Sequence, residues 1–247
     1  LWVQDPFVVQ DSTAAINYVQ IVPETANQDG FWGALNGVVT HEFGHQLGFD
    51  DLYDVATGIS MVGAFSLMDS GENLYGNIAD PQDSTQTLPV RGSLPGSVDP
   101  WHKIRFFPDG VDLVTPEDFV SGDSSQFEVT LPSSQFPPSE GGNRILYLPL
   151  NLSEYLLVEN RVWDLNGDSL IVLKSDKETG VILGPVPADT LAPATDLGYR
   201  EYDYLLPAQG IIAWHIDNLA INTGFSTPYG GVNIFFSRPG VAVLEAD

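Results

Sequence analysis

The sequence contains no cysteine. Disulfides are therefore excluded, and so is any metal site or nucleophile that depends on a thiolate. Positive charge is also scarce. Nine Lys and Arg stand against 33 Asp and Glu, for a formal net charge of −24. Such a surface repels phosphate backbones, so nucleic acid is not an expected partner; cations, a salty milieu or plain solubility suit it better. No apolar run approaches the roughly 18 residues that cross a bilayer, so no membrane span is expected. No secretory leader is visible, and the sequence opens on Leu1, which points to a processed or partial chain. Ser/His/Asp triads, G-x-S-x-G and phosphate-cradling glycine loops are not evident.

Glycine (24) and proline (18) are plentiful, so many turns and few long helices are expected. The length of 247 residues is enough to bury a core in one large or two smaller domains. Short β-branched runs near Tyr18–Val22 suggest a strand, and residues 24–33 read as a polar loop. Leu35, Val38, Val39, Phe43 and Leu47 recur at helical steps, which predicts a helix over Ala34–Leu47 with an apolar face. Gly48 suits the C′ position that ends it. Residues 50–100 show little regular pattern, and Asp99–Phe107 (DPWHKIRFF) suggests a short helix with Pro100 in its first turn.

From Phe127 the pattern changes to short strand-like runs: FEVTL, RILYLPL, EYLLVENR, SLIVLK, GVILG, GIIAWHID, VNIFFS and VAVLEA. The fold expectation is α+β, divided into residues 1–126 around the helix and a β-rich, sandwich-like part over residues 127–247. The Pro-rich stretch 131–142 lies close to that boundary.

The chemistry concentrates in HEFGHQLGFDD, from His41 to Asp51. His41 and His45 are about one helical turn apart, so both imidazoles leave one face and can meet one zinc ion. Glu42 points about 100° around the helix, where a carboxylate can take a proton from an attacking water without ligating. A catalytic zinc needs a third protein ligand. Asp51, reached through the turn at Gly48, is the first candidate; Asp50 is its neighbour and Glu72 the later alternative. His215 alternates with apolar residues and reads as a structural strand residue. His102 reads as surface or loop, and Trp101 as a packing residue. Asp50, Asp54 and Asp69 in irregular segments make calcium a second candidate cation, and DLNGD (164–168) reads as a turn.

HEFGHQLGFDDLYD followed by GAFSLMDSG resembles the M6 peptidases, the immune inhibitor A family of secreted bacterial metalloproteases, themselves similar to metzincins. DPWHKIRFF, EYLLVENR and GIIAWHID resemble later blocks of that family. The resemblance implies a zincin-like catalytic part whose start lies outside this chain, and Zn²⁺ held by His41, His45 and Asp51. It further implies Glu42 as general base, Met68 as the methionine turn beneath the metal, a protein or peptide substrate, and secretion. The alternative expectation is a catalytically inert piece whose β-rich half binds a protein or polymer surface.

Overall fold

The structure, a computed structural model, describes residues 2–8, 15–19, 22, 35–79, 85–119, 128–165, 167, 172–175, 182–186 and 201–244. Among these the strands are β1 (Trp2–Val8), β2 (Ala15–Tyr18), β3 (Tyr75–Ala79), β4 (Thr87–Arg91), β5 (Asp112–Val114), β6 (Arg144–Pro149), β7 (Glu154–Arg161), β8 (Val172–Ser175), β9 (Ile182–Val186), β10 (Gly210–Asp217) and β11 (Val241–Val243). The helices are α1 (Asn36–Leu47), α2 (Pro100–Phe106) and α3 (Asn218–Phe225). The chain is thus of mixed α+β class. β1–β2, β3–β4 and β8–β9 are separate two-stranded sheets, and a five-stranded sheet runs in the order β11-β10-β7-β6-β5. Within it only the β5–β6 pair is parallel.

The large sheet is built on strand alternation. Ile212, Trp214 and Ile216 of β10 are buried, as are Leu157, Glu159 and Arg161 of β7, while the residues between them are more exposed. Ile212 lies opposite Glu159 and Trp214 opposite Leu157. Against this face pack Phe49, Leu52, Leu67, Met68 and Trp101, all in one buried apolar cluster with Ile145, Leu157, Trp214 and Val241. Residues on both sides of position 126 therefore share one core, and β5 joins the sheet from the N-terminal side.

Two cations, Arg161 fully buried and Lys103 partly so, fix how that layer sits on the sheet. Arg161 donates to Glu159 (2.7 Å), to Asp203 (3.0 Å) and to the Val98 carbonyl (3.0 Å). Lys103 of α2 reaches the other Glu159 oxygen at 3.2 Å. Burial lowers the Lys103 pKa, whereas Asp203 and Glu159 outweigh burial at Arg161 and raise it.

Several expectations need correction. VNIFFS forms no strand. The Asn233 side chain takes over backbone pairing there, donating to the carbonyls of Leu52 and Val241 and accepting the Val241 N–H. Within FEVTL, residues 128–131 form no strand either. The Thr130 and Leu131 carbonyls accept from the side chains of Arg144 and Asn160 instead of from a ladder. The β3–β4 hairpin is present where irregular structure was expected; Gly76 and Pro89, both poor strand residues, disguise it. The helix forms where predicted, but its apolar residues do not mark its buried side. Val39, Phe43 and Leu47 are exposed, and Gly37, His41 and Gly44 are buried. Residues 24–33, like residues 20 and 21 beside β2, lie outside the described residues.

Candidate metal centre

The site is assembled on α1 and the two turns against it. Gly37 lets the helix come so close to the Glu72 backbone that a Cβ would collide with its carbonyl. Gly37 also donates its N–H to the Gly92 carbonyl (2.9 Å), which satisfies one free group of the first helical turn. At the other end Gly48 adopts φ 100°, a left-handed conformation that glycine takes without strain. The chain then turns back through Phe49 and Asp50 to Asp51.

His41 and His45 stand with ring centroids 4.8 Å apart and perpendicular planes. His41 Nδ1–H donates to the Leu67 carbonyl (3.0 Å) and His45 Nδ1–H to the Phe49 carbonyl (2.9 Å). A carbonyl only accepts, so both rings keep their proton on Nδ1 and turn the Nε2 lone pair inward. Asp51 Oδ1 meets these nitrogens at 3.1 Å from His41 and 3.2 Å from His45. This oxygen is buried, and while both Nε2 atoms are unprotonated no hydrogen-bond donor reaches it. Three lone-pair donors facing one another across a shared point need a cation between them, and the residues present fit a metal ion. Without one, protons serve instead. The hydrogen bond to Asp51 pushes His45 up to about 9; at His41 burial lowers the pKa, but Asp51, the Leu67 carbonyl and Glu72 together raise it above the ordinary value. Burial would raise Asp51, but the two imidazoles hold it below the ordinary carboxylate range.

Glu72 occupies a different place. Its Oε2 lies 3.6 Å from His41 Nδ1, the outward nitrogen, and burial raises its pKa. The geometry therefore groups Asp51, not Glu72, with the two histidines. Asp50 points away, 3.7 Å from Arg105. Among the described residues, His41, His45 and Asp51 are the one group of three or more His, Asp or Glu whose donor atoms gather within 4.8 Å. Glu42 is half-buried beside them, close enough for its charge to act on His45, Tyr53 and Glu72.

Met68 is fully buried beneath the helix: a Cβ added at Gly44 would meet its sulfur at 2.9 Å. The Met68 carbonyl accepts from Leu52 N–H at 2.8 Å, joining this turn to the one that carries Asp51. Asp54 and Asp69 are engaged in their own turns. Asp54 accepts from Ala56 and Thr57, and Asp69 from the N–H groups of Met61, Val62 and Gly63. Asp164 likewise closes a turn on Gly167 N–H; Asn166 and Asp168 lie outside the described residues.

His215 sits half-buried on β10, 3.5 Å from Glu154 and away from the site. Trp101 packs in the core, with the Arg105 guanidinium 4.2 Å over its ring. His102 is the residue that sequence reasoning misplaced. It is fully buried on α2 and accepts the Asp50 N–H at Nε2 (3.1 Å), next to Asp51. A signal was available: Asp99, three residues earlier and before Pro100, is a helix N-cap, and position i+3 faces it. A cavity of about 570 Å³, lined in part by Asn36, Thr40, Leu94 and Phe107, flanks α1 but reaches none of His41, Glu42, His45 or Asp51. Cavity size does not locate the chemistry; the donor set does.

Two imidazoles and a carboxylate closing on one point make a donor set that could hold a metal ion. Residues 10–88 match the family model for the immune inhibitor A peptidase M6 catalytic domain. The M6 resemblance thus holds over the segment that carries α1, Asp51, Met68 and Glu72, which is similar to part of a metallopeptidase catalytic domain. The later resembling blocks lie beyond the matched residues. Comparison with curated proteins and with solved structures gave no match. No helix among the described residues is long and apolar enough to cross a membrane.

Proposed function

We propose that this chain carries the centre of a secreted zinc endopeptidase, in which a partial zincin-like part over residues 1–126 and a β-rich part over 127–247 share one core. The observation that carries the reading is the unpartnered Asp51 oxygen facing two Nε2 lone pairs at 3.1 and 3.2 Å. His41, His45 and Asp51 would hold the ion. When bound, zinc polarises a peptide carbonyl and lowers the pKa of a water molecule.

The chain's own residues do the rest. The Leu67 and Phe49 carbonyls keep both histidines in the ligating tautomer. Gly44 and Met68 fix the depth of the helix beneath them. Glu42 accepts the proton of the attacking water and passes it to the leaving amine, the work of a general base that then acts as general acid. The substrate is a protein or peptide, as the match to a peptidase family supports. The −24 charge of the chain favours retention of cations over anionic partners.

The test separates the ion from the proton transfer. Glu42→Ala is expected to bind zinc as the parent chain does, while hydrolysis of an unfolded protein substrate falls by roughly 10²–10⁴-fold or more. Zinc content and peptide release are measured on the same samples. Hydrolysis retained in the variant refutes the role of Glu42, and failure of the parent chain to take up zinc refutes the metal reading.

A further inference from the structure

Behind the three donors lies a second set of polar side chains, all fully buried: Ser66, Asp99 and His102. Asp50 N–H points at His102 Nε2 from 3.1 Å. A backbone N–H can only donate, so Nε2 carries the lone pair and the ring proton sits on Nδ1. That proton is donated to Asp99 Oδ2 at 2.7 Å. The same oxygen accepts from Ser66 Oγ–H at 2.7 Å, and Ser66 Oγ in turn accepts Met68 N–H at 3.1 Å. The other Asp99 oxygen caps α2 by accepting His102 N–H at 3.0 Å.

One carboxylate thus fastens two walls of the site. On one side is the 66–68 turn, whose Leu67 carbonyl orients His41. On the other is the turn that carries Asp51, held at Asp50 through His102 and at Leu52 through the Met68 carbonyl. We propose that Asp99 and His102 are positioning residues of the metal centre. They fix the ring tautomer that anchors Asp50 N–H and thereby aim the Asp51 carboxylate at the two imidazoles. The inference rests on the zinc reading above. It does not require either residue to touch metal or substrate. Simple core filling also describes His102, which packs 4.9 Å from Phe49. Core filling, however, predicts a loss of stability without a change at the metal.

The decisive variant is Asp99→Asn, which keeps size and shape. Its amide oxygen can still cap α2, but its amino group then stands where Asp99 Oδ2 was. His102 Nδ1 must accept from that group, its proton moves to Nε2, and two donors oppose each other at Asp50. Zinc affinity, measured by chelator competition, should fall about 10–100-fold in Asp99→Asn and in His102→Leu, the range found when the groups that orient metal ligands are lost. The visible spectrum of the cobalt-loaded chain should change with it. His102→Gln, whose carbonyl oxygen can take over the Asp50 N–H, should bind zinc more tightly than His102→Leu. Should the variants fail to fold, nitrogen NMR of the parent chain still decides, because His102 must carry its proton on Nδ1. Folded variants with parental zinc affinity and cobalt spectrum overturn the proposal, as does a His102 proton found on Nε2. A parent chain that binds no zinc overturns the metal reading, and this one with it.

Discussion

Arg161→Met tests the polar joint between the large sheet and the layer that carries the site. Methionine keeps much of the aliphatic reach of arginine and removes every donor. The bonds lost run to Glu159, Asp203 and the Val98 carbonyl, all at 2.7–3.0 Å, with a longer one to the Phe65 carbonyl. Summing charged hydrogen bonds one by one would overshoot, because part of each is repaid by water in the unfolded chain. The better guide is the cost of removing one partner from a buried ion pair, about 3–5 kcal/mol. Two contacts soften it here: Lys103 remains 3.2 Å from Glu159, and Ser97 N–H remains 3.1 Å from Asp203. The lower end, about 3 kcal/mol, is expected.

With a urea slope near 3 kcal/mol/M, the upper part of the range for small domains, the midpoint should fall by about 1 M. Urea unfolding followed by tryptophan fluorescence reads this directly, since Trp214 and Trp101 lie in the core that the joint closes. A midpoint shift below about 0.3 M with an unchanged slope would refute the reasoning. Adding Asp203→Asn to Arg161→Met should recover part of the loss, because it removes one charge left without its partner; strict additivity would show that the pair is not coupled.

Gly48→Ala should destabilise by about 1–2 kcal/mol from the left-handed backbone alone. The new Cβ also meets Phe106 at 2.9 Å; calorimetry should show a melting point lower by roughly 2–8 °C. Zinc at about 100 times its dissociation constant should add about 2.7 kcal/mol of stability, removable by chelator. His45→Ala or Asp51→Asn should abolish that increment, while Glu72→Gln should keep most of it. At Asp217, burial would raise the carboxyl pKa, but the Ala220 and Leu219 N–H groups and Arg238 lower it below the ordinary value. Its contribution is therefore fully present above the unfolded carboxyl pKa of about 3.9 and is lost as pH falls through the folded value. The melting points of the parent chain and of Asp217→Asn should accordingly differ at pH 6 and converge as the pH is lowered through the folded value.

What the sequence disclosed about the fold was what alternation and turn chemistry write locally. β7 and β10 were legible because EYLLVENR and GIIAWHID alternate and pair along their full lengths. The β3–β4 hairpin was hidden by Gly76 and Pro89, and VNIFFS looked like a strand until Asn233 took the backbone partners a ladder would have used. The apolar face of α1 misled for a related reason. Periodicity reports that a helix has two sides, but the side it buries here is chosen by Gly37 and Gly44, which admit the Glu72 backbone and Met68 at distances a larger side chain would forbid.

The same division runs through the site. The two imidazoles were legible because a four-residue spacing on a helix is a local fact, and Asp51 because a glycine turn returns the chain within a few residues. What makes those three donors usable is held over long separations. His41 is oriented from 26 residues away by Leu67, Asp50 from 52 residues away by His102, and the Leu52 carbonyl from 181 residues away by Asn233. No spacing rule reaches that far, so His102 read as surface or loop although it is fully buried on α2. The separation also implies an order of assembly. The two nitrogens share one turn of α1, whereas on the proposal above Asp51 is aimed only once α2 is in place. Metal affinity should therefore report the completeness of the whole fold, not of the helix alone.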